Sequence, residues 1–278
     1  MLENNLKGGS LDYWARNHMS NIRIQLLSIL NREPADSVNF VITKYILENI
    51  KYQKKISMSD MANVCNVSKA SISRYSKRLG YEDYFDFQLA LATYRVSKND
   101  YFYLNAIESD DLFGNYFSKV KNQVDYLSDN LDLGEIEHLV ELIKSHDNIF
   151  LMGQVSSGFA AVSLQDNLTK LGKVVRTSHD FVEQKELIET LEDDALVIVF
   201  SAGGKFFERI EPNPITMQRL KKPTIYFITI DETKDYSYVN QTIVLGQETD
   251  YSSWMLLNVY SDLLYLNYKI KFDDESVS

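Results

Sequence analysis

Lys69, Ser73, Arg74 and Lys77 are spaced to share one side of a single helix, with Ser68 and Ser71 at its start. Small hydroxyls and cations on one exposed helix face can hydrogen-bond base edges in a major groove and pair with the flanking phosphates. Holding such a face requires a crossed pair of short helices. The spacing predicts a first helix over Asp60 to Cys65, with Ser59 as its N-cap and Met61, Ala62 and Cys65 facing inward. Asn66 follows as the turn residue, since Asn tolerates the left-handed conformation. Ser68 then caps the second helix, in which Ile72, Tyr75, Ser76 and Leu79 form the buried stripe and Gly80 the stop. Base contacts are expected from Lys69, Ser73 and Arg74, and phosphate contacts from Lys77, Arg78, Lys54 and Lys55.

Charge supports this over an ordinary surface helix pair. From Lys51 to Gly80 seven basic residues stand against the single acid Asp60, although the whole chain of 278 residues carries a net charge of −10. An acidic protein with one basic module keeps its phosphate contacts in that module while the remaining surface repels DNA.

A chain of this length with 45% hydrophobic content can bury two cores. The single cysteine, Cys65, falls on a buried stripe, which points to packing rather than redox chemistry. His18, His138, His146 and His179 are scattered, so neither a bound metal nor a cofactor is expected. No signal-like or membrane-spanning apolar run is present, and a cytoplasmic protein is expected.

Apolar spacing predicts helices over Leu11 to Leu30 and Ser37 to Asn49, the latter burying Phe40, Val41, the Lys44 stem, Tyr45 and Leu47 or Ile46. With the motif helices and Tyr84 to Tyr94 they make an all-helical domain over residues 1–95. Residues 96–112 read as a linker, and residues 113–278 alternate helix with strand. Helices are expected at Tyr116 to Asn130, Gly134 to Ser145, Ser157 to Leu171, Val182 to Leu191 and Trp254 to Tyr268. Strands are expected at Asn148 to Met152, Val174 to Thr177, Ala195 to Phe200, Thr224 to Thr229 and Thr242 to Leu245. Apolar strands separated by helices imply a parallel sheet covered on both faces, with ligands bound beyond the strands' carboxyl ends.

Two loops stand at such ends. In Gly153-Gln154-Val155-Ser156-Ser157-Gly158 the backbone amides and two hydroxyls can hold a phosphate or a sugar hydroxyl. It is no dinucleotide fingerprint, because Val155 occupies the place of a second close-approach glycine. In Ser201-Ala202-Gly203-Gly204-Lys205 two glycines allow close approach and Lys205 adds a cation. Either loop serves equally well as a plain turn.

The N-terminal motif resembles that of RpiR-family bacterial transcriptional regulators through Val67, Ser68, Ser71, Ile72, Arg74, Lys77, Leu79 and Gly80, continuing into Tyr84, Phe85 and Phe87. The second half is similar to the sugar isomerase (SIS) domain that these regulators carry as a phosphosugar sensor. The resemblance implies a ligand set of Gly153, Ser156, Ser157 and Gly158 in the first loop. The family's second loop, Ser-x-Ser-Gly-x-Thr, is matched only at Ser201 and Gly204, with Gly203 in place of the second serine and Phe206 in place of the threonine. An anion there would rest on the Gly203-Gly204 amides and Lys205; alternatively Phe206 and Phe207 fill the pocket.

The expected protein is therefore a non-enzymatic regulator of sugar-metabolism genes, dimeric or tetrameric, with double-stranded operator DNA and a phosphosugar or related effector as partners. One rival is a domain retained only for oligomerisation, or a scaffold whose helical domain meets protein. Another is a sugar phosphate isomerase, with His179, Glu183 and Glu186 as candidate bases. For these three a cap or a solvated helix face is the commoner role.

Overall fold

A computed structural model describes residues 22–49, 56–93, 111–210, 212–230, 236–247 and 252–273. The chain divides into two compact units, residues 1–100 and 101–278.

The first unit is helical: α1 (residues 22–32), α2 (Val38–Asn49), α3 (Met58–Val64), α4 (Lys69–Arg78) and α5 (Tyr84–Thr93). Residues 11–21 of the first expected helix lie outside the described residues. Ser57, not Ser59, caps α3: its side chain accepts from the Asp60 amide, and the helix starts at Met58, two residues earlier than the apolar pattern suggests. The turn between α3 and α4 is a Schellman motif. Asn66 stands at φ 51°, and the amides of Asn66 and Val67 close onto the carbonyls of Asn63 and Ala62. α4 ends in the same way, with Gly80 at φ 89° and the Gly80 and Tyr81 amides bonded to Lys77 and Ser76. Cys65 is buried beside Met61 and Ala62, and burial pushes its thiol pKa up.

The buried face of α2 differs from expectation. Ile42, Thr43 and Ile46 are buried, while Phe40, Val41, Tyr45 and Leu47 are half-buried and Lys44 is exposed, 3.9 Å from Glu48. Thr43 reads as polar in sequence, yet its hydroxyl shares a buried 2.6 Å hydrogen bond with the Tyr75 hydroxyl, which removes the penalty for turning it inward. Phe87 completes this core, its ring meeting those of Tyr75, Tyr81 and Tyr84 at 5.2–6.2 Å.

The second unit opens with α6 (Leu112–Asn130) and α7 (Leu133–Ser145), capped by Asp111 and Asp132. α6 thus begins inside the segment expected as linker, whose remainder, 96–110, lies outside the described residues. Then follow β1 (Ile149–Gly153), a 3-10 turn (Val155–Ser157), α8 (Gly158–Lys170), β2 (Arg176–Thr177), α9 (Phe181–Thr190) and β3 (Leu196–Ser201). α10 (Phe206–Ile210), α11 (Pro214–Arg219), β4 (Thr224–Thr229), β5 (Gln241–Val244) and α12 (Ser253–Phe272) complete it. The five strands pair in parallel in the order β2-β1-β3-β4-β5. β2 has only two residues, shorter than its apolar run suggests, because Val174 is solvent-exposed and pairing starts at Arg176.

One sheet face packs Ile149, Leu151, Ile198, Phe200 and Ile228 against Leu139, Leu164, Leu257 and Leu264 of α7, α8 and α12. On the other, Phe207 meets Phe227 at 5.7 Å between ring centroids. Because the chain leaves β1 for β2 on one side and passes from β3 to β4 on the other, the order reverses between β1 and β3, and the loops after these two strands flank the switch point. No described helix is long and apolar enough to cross a membrane.

Candidate functional site

The outer face of α4 is ordered from its cap outward. Ser68 Oγ accepts from the Ser71 amide at 3.1 Å and shares a 2.9 Å hydrogen bond with Ser71 Oγ. Arg74 Nη2 in turn donates to Ser71 Oγ at 3.1 Å. This chain of contacts holds the Arg74 guanidinium over the N-terminal turn before any partner arrives, so less rotamer entropy is lost on binding. Lys69, Arg74 and Lys77 are exposed and Ser73 is half-exposed, while Ile72, Tyr75, Ser76 and Leu79 are buried. The expected division of the helix into an exposed polar face and a buried packing face is what the structure has.

Arg78 is drawn elsewhere. Its guanidinium pairs with Glu33 at 2.7 Å, and the Glu33 carboxylate also accepts from Asn39. Burial alone would raise the Glu33 pKa, but the Arg78 charge and hydrogen bonds from Ser37, Arg78 and Asn39 outweigh it and hold the group below its ordinary value. Lys54 and Lys55, the other expected phosphate contacts, lie outside the described residues.

In the second unit the register of β1 with β3 sets Gly153 opposite Phe200, so the two ligand loops start side by side. Gly153 has no room for a side chain, since a Cβ there would stand 2.7 Å from the Ser157 carbonyl oxygen. Val155 sits at φ 53°, the left-handed region where a glycine would be at ease, so this β-branched residue is strained. Ser157 Oγ is buried and accepts from the Ala202 amide at 3.1 Å, tying the two loops together. Ser156 is half-buried.

The second loop is occupied by its own contacts. The Gly204 amide donates to the Ser201 carbonyl, the Gly204 carbonyl accepts from the Tyr236 hydroxyl at 3.1 Å, and the Ala202 carbonyl receives Ile230 and Thr229. Gly203 is half-exposed, Ser201 is buried and Lys205 points to solvent. Phe206 and Phe207 are buried in an aromatic cluster with Phe227, Tyr236 and Tyr238, with centroid spacings of 5.1–5.8 Å. Tyr238 is buried deeply enough to push its pKa up to about 12.

Sequence reasoning missed two glutamines. Gln184, on α9, is fully buried and its Nε2 donates to the Gly153 carbonyl at 2.7 Å and to the Ser178 carbonyl, bridging the ends of β1 and β2. Gln154 is 5% exposed, and neither its Nε2 nor its Oε1 has a hydrogen-bond partner. Gln184 Oε1 and Thr177 Oγ1 are likewise buried and unpartnered. No spacing rule marks these residues, because they meet only through the sheet. The isomerase candidates are arranged differently: Asp180, not His179, caps α9, and Glu183 accepts from the Ser178 hydroxyl at 2.6 Å. His179 and Glu186 are exposed.

Residues 31–98 match the family model for the helix-turn-helix domain of the rpiR family. The chain is 25% identical over 197 residues to an HTH-type transcriptional regulator of Clostridium perfringens, the alignment covering 68% of this chain and 67% of that one. It is 22% identical over 174 residues to the HTH-type transcriptional regulator HexR of Pseudomonas aeruginosa, covering 61% of each. Among solved structures, the Vibrio vulnificus NanR protein complexed with ManNAc-6P matches with a TM-score of 0.52 and 17% identity, covering 91% of this chain and 93% of that one. At that identity the likeness speaks for the fold. The paired serine caps and crossed helices of the first unit thus belong to an rpiR-family helix-turn-helix domain over residues 31–98, and the five-stranded parallel sheet of the second unit lies in a chain whose fold is like that of NanR.

Proposed function

We propose that this protein is a DNA-binding transcriptional regulator of sugar-metabolism genes, with operator binding modulated by a phosphosugar or related ligand held in the α/β unit. The observation that carries the reading is the Ser68–Ser71–Arg74 chain on the exposed face of α4, within the residues that match the rpiR helix-turn-helix. Lys69, Ser73 and Arg74 read base edges, and Lys77 contacts phosphate. Arg78 serves the fold through Glu33 rather than the DNA. Two copies of the chain, as a homodimer or within a homotetramer, present two such helices to operator half-sites.

Support for ligand control comes from the fold shared with NanR, which was solved with ManNAc-6P, and from the position of the two loops at the switch point of the sheet. A ligand that binds one arrangement of the protein better than another shifts the population toward it, and with it the spacing of the reading helices. No turnover is expected: Glu183 is engaged by Ser178 and the second loop has no hydroxyl pair for a phosphate.

The test is the affinity of the purified protein for the DNA immediately upstream of its own gene, titrated with sugars and sugar phosphates. Specific, salt-sensitive binding that one of these compounds shifts is the expected result. Absence of specific binding at any salt concentration overturns the reading.

A further inference from the structure

The parallel sheet has two ends, and the loops after β1 and β3 occupy one of them. At the other, the first residues of β4 and β5, Thr224 and Gln241, face α7 from its cap Asp132 onward across an open cleft of about 560 Å³. The six residues of β4 set the two ends of the sheet roughly 15–20 Å apart, and the cleft shares no residue with either loop. Its polar lining comes chiefly from Asp132, Glu135, His138, Tyr226, Asn240 and Gln241.

Two tyrosine hydroxyls gather here without partners. Tyr226 lines the cleft yet is 5% exposed; its ring lies 6.4 Å from that of His138, and its hydroxyl has no hydrogen-bond partner among the described residues. Tyr260, on α12, is 1% exposed, and its hydroxyl is buried and unpartnered. Burial first, and the Glu135 charge second, push both tyrosine pKa values up, so both hydroxyls lie within the field of that carboxylate. Buried hydroxyls are normally paired, and two unpaired ones beside one carboxylate mark a place where a further polar group fits.

The charge of the cleft selects the group. Asp132 and Glu135 make it negative, and among the described residues no lysine or arginine lines it. The start of α7 would attract an anion, but Asp132 already accepts from the amides of Gly134 and Glu135 there. Glu135 Oε1 accepts from Gln241 Nε2 at 2.6 Å, which anchors the carboxylate to the cleft wall and leaves Glu135 Oε2 and Gln241 Oε1 as acceptors. A metal ion fits less well, since no group of three metal-ligating side chains gathers among the described residues. An ammonium group, with a full positive charge and three donors, matches two such acceptors and a tyrosine hydroxyl oxygen.

We infer that this cleft is a second ligand site, taking a small primary amine as its ammonium ion against the carboxylates of Glu135 and Asp132, with Gln241 and the Tyr226 hydroxyl completing its hydrogen bonds. The site stands apart from the loops at the carboxyl ends of the strands and does not depend on what they hold.

The experiment titrates the full-length chain by calorimetry with ethanolamine, 1,4-diaminobutane and glucosamine, each against its fully N-acetylated form, at constant ionic strength. At least one amine is expected to bind, and its acetylated form to bind at least about tenfold more weakly. Glu135→Gln keeps an acceptor for Gln241 but removes the charge, and should lose at least about tenfold in affinity. Tyr226→Phe should lose about threefold or more, while melting without ligand at the same or a higher temperature, because its hydroxyl is unpartnered in the free protein. Glu137→Gln, which removes an exposed acid of α7 outside the cleft, should stay within about twofold of the wild type. The inference is overturned if no amine binds or if the acetylated forms bind as well. It is equally overturned if Glu137→Gln weakens binding as much as Glu135→Gln, which is diffuse attraction to an acidic protein, or if Glu135→Gln and Tyr226→Phe both bind as the wild type does, which places the amine elsewhere.

Discussion

Arg74 and Lys205 are both exposed cations close to a helix start and to serine or glycine residues, yet the structure uses them differently. Arg74 is oriented by Ser71, which is itself oriented by the cap Ser68, and the opposite side of α4 is fully committed to the core. Lys205 is followed by Phe206 and Phe207, which carry the short α10 into an aromatic cluster, and the glycine turn before it is closed by Tyr236 and by its own carbonyl. The difference teaches that a polar motif becomes a binding face only when its helix has another side to bury. In α4 the apolar residues recur at helical spacing opposite the polar ones. In the second loop Phe206 and Phe207 follow the glycines and Lys205 at once, and the short helix they open is packed through its own first residues.

The largest expected effect lies in that aromatic cluster. Phe207→Ala removes a ring in contact with Phe206, Phe227, Tyr236 and Tyr238 and should cost the α/β unit about 3–5 kcal/mol in chemical denaturation. A loss under about 1 kcal/mol would mean that the cluster gives way easily, as a pocket does, and the contrast with α4 would fail. Arg74→Ala should cost about 1–3 kcal/mol at one base pair of the operator, whereas Lys77→Ala should weaken all sequences alike and reduce the salt slope by about 1. Identical behaviour of the two variants across operator mutants would remove the distinction between reading and positioning residues.

Smaller effects sharpen the comparison. Val155→Gly relieves a left-handed β-branched residue, and its gain, set against the greater chain entropy of glycine, should be about 1 kcal/mol in favour of the fold. Unchanged or lowered stability would show that the turn is not strained. Glu33→Gln tests Arg78, and its effect on stability should not exceed about 1 kcal/mol, since the guanidinium is half exposed. The folded state depresses the Glu33 pKa, so its contribution is present above the ordinary value of 4.5 and is lost as pH falls through the lower folded value. Wild type and variant should therefore differ at neutral pH and converge in acid, a comparison read from melting curves. In the variant Arg78 is released, and non-specific DNA affinity should rise slightly.

Much of the fold was legible because it is written locally. Asn66 and Gly80 were recognisable as left-handed residues, and Ser68 as a cap, from neighbours within five positions. β4 has the expected ends, and β1, β3 and β5 differ from expectation by one residue at each affected end. α11 carries an equally local start signal that is absent from the expected elements: Asn213 caps it and Pro214 occupies its first turn. The Ser57 cap was displaced by a rival serine two residues on, which no local rule distinguishes.

The sequence by itself determined where the basic module lies, which face of α4 is polar, and that apolar strands must form a covered parallel sheet, since these follow from residue type and period along the chain. Only the tertiary structure decided the rest. It gave Arg78 to Glu33 across more than forty residues, and turned Thr43 inward by offering it the Tyr75 hydroxyl. It gathered Phe207 with Tyr236 and Tyr238 and brought Gln184 under Gly153. Each of these is a choice among distant partners, settled by which arrangement leaves the fewest buried groups unpaired and the least space empty.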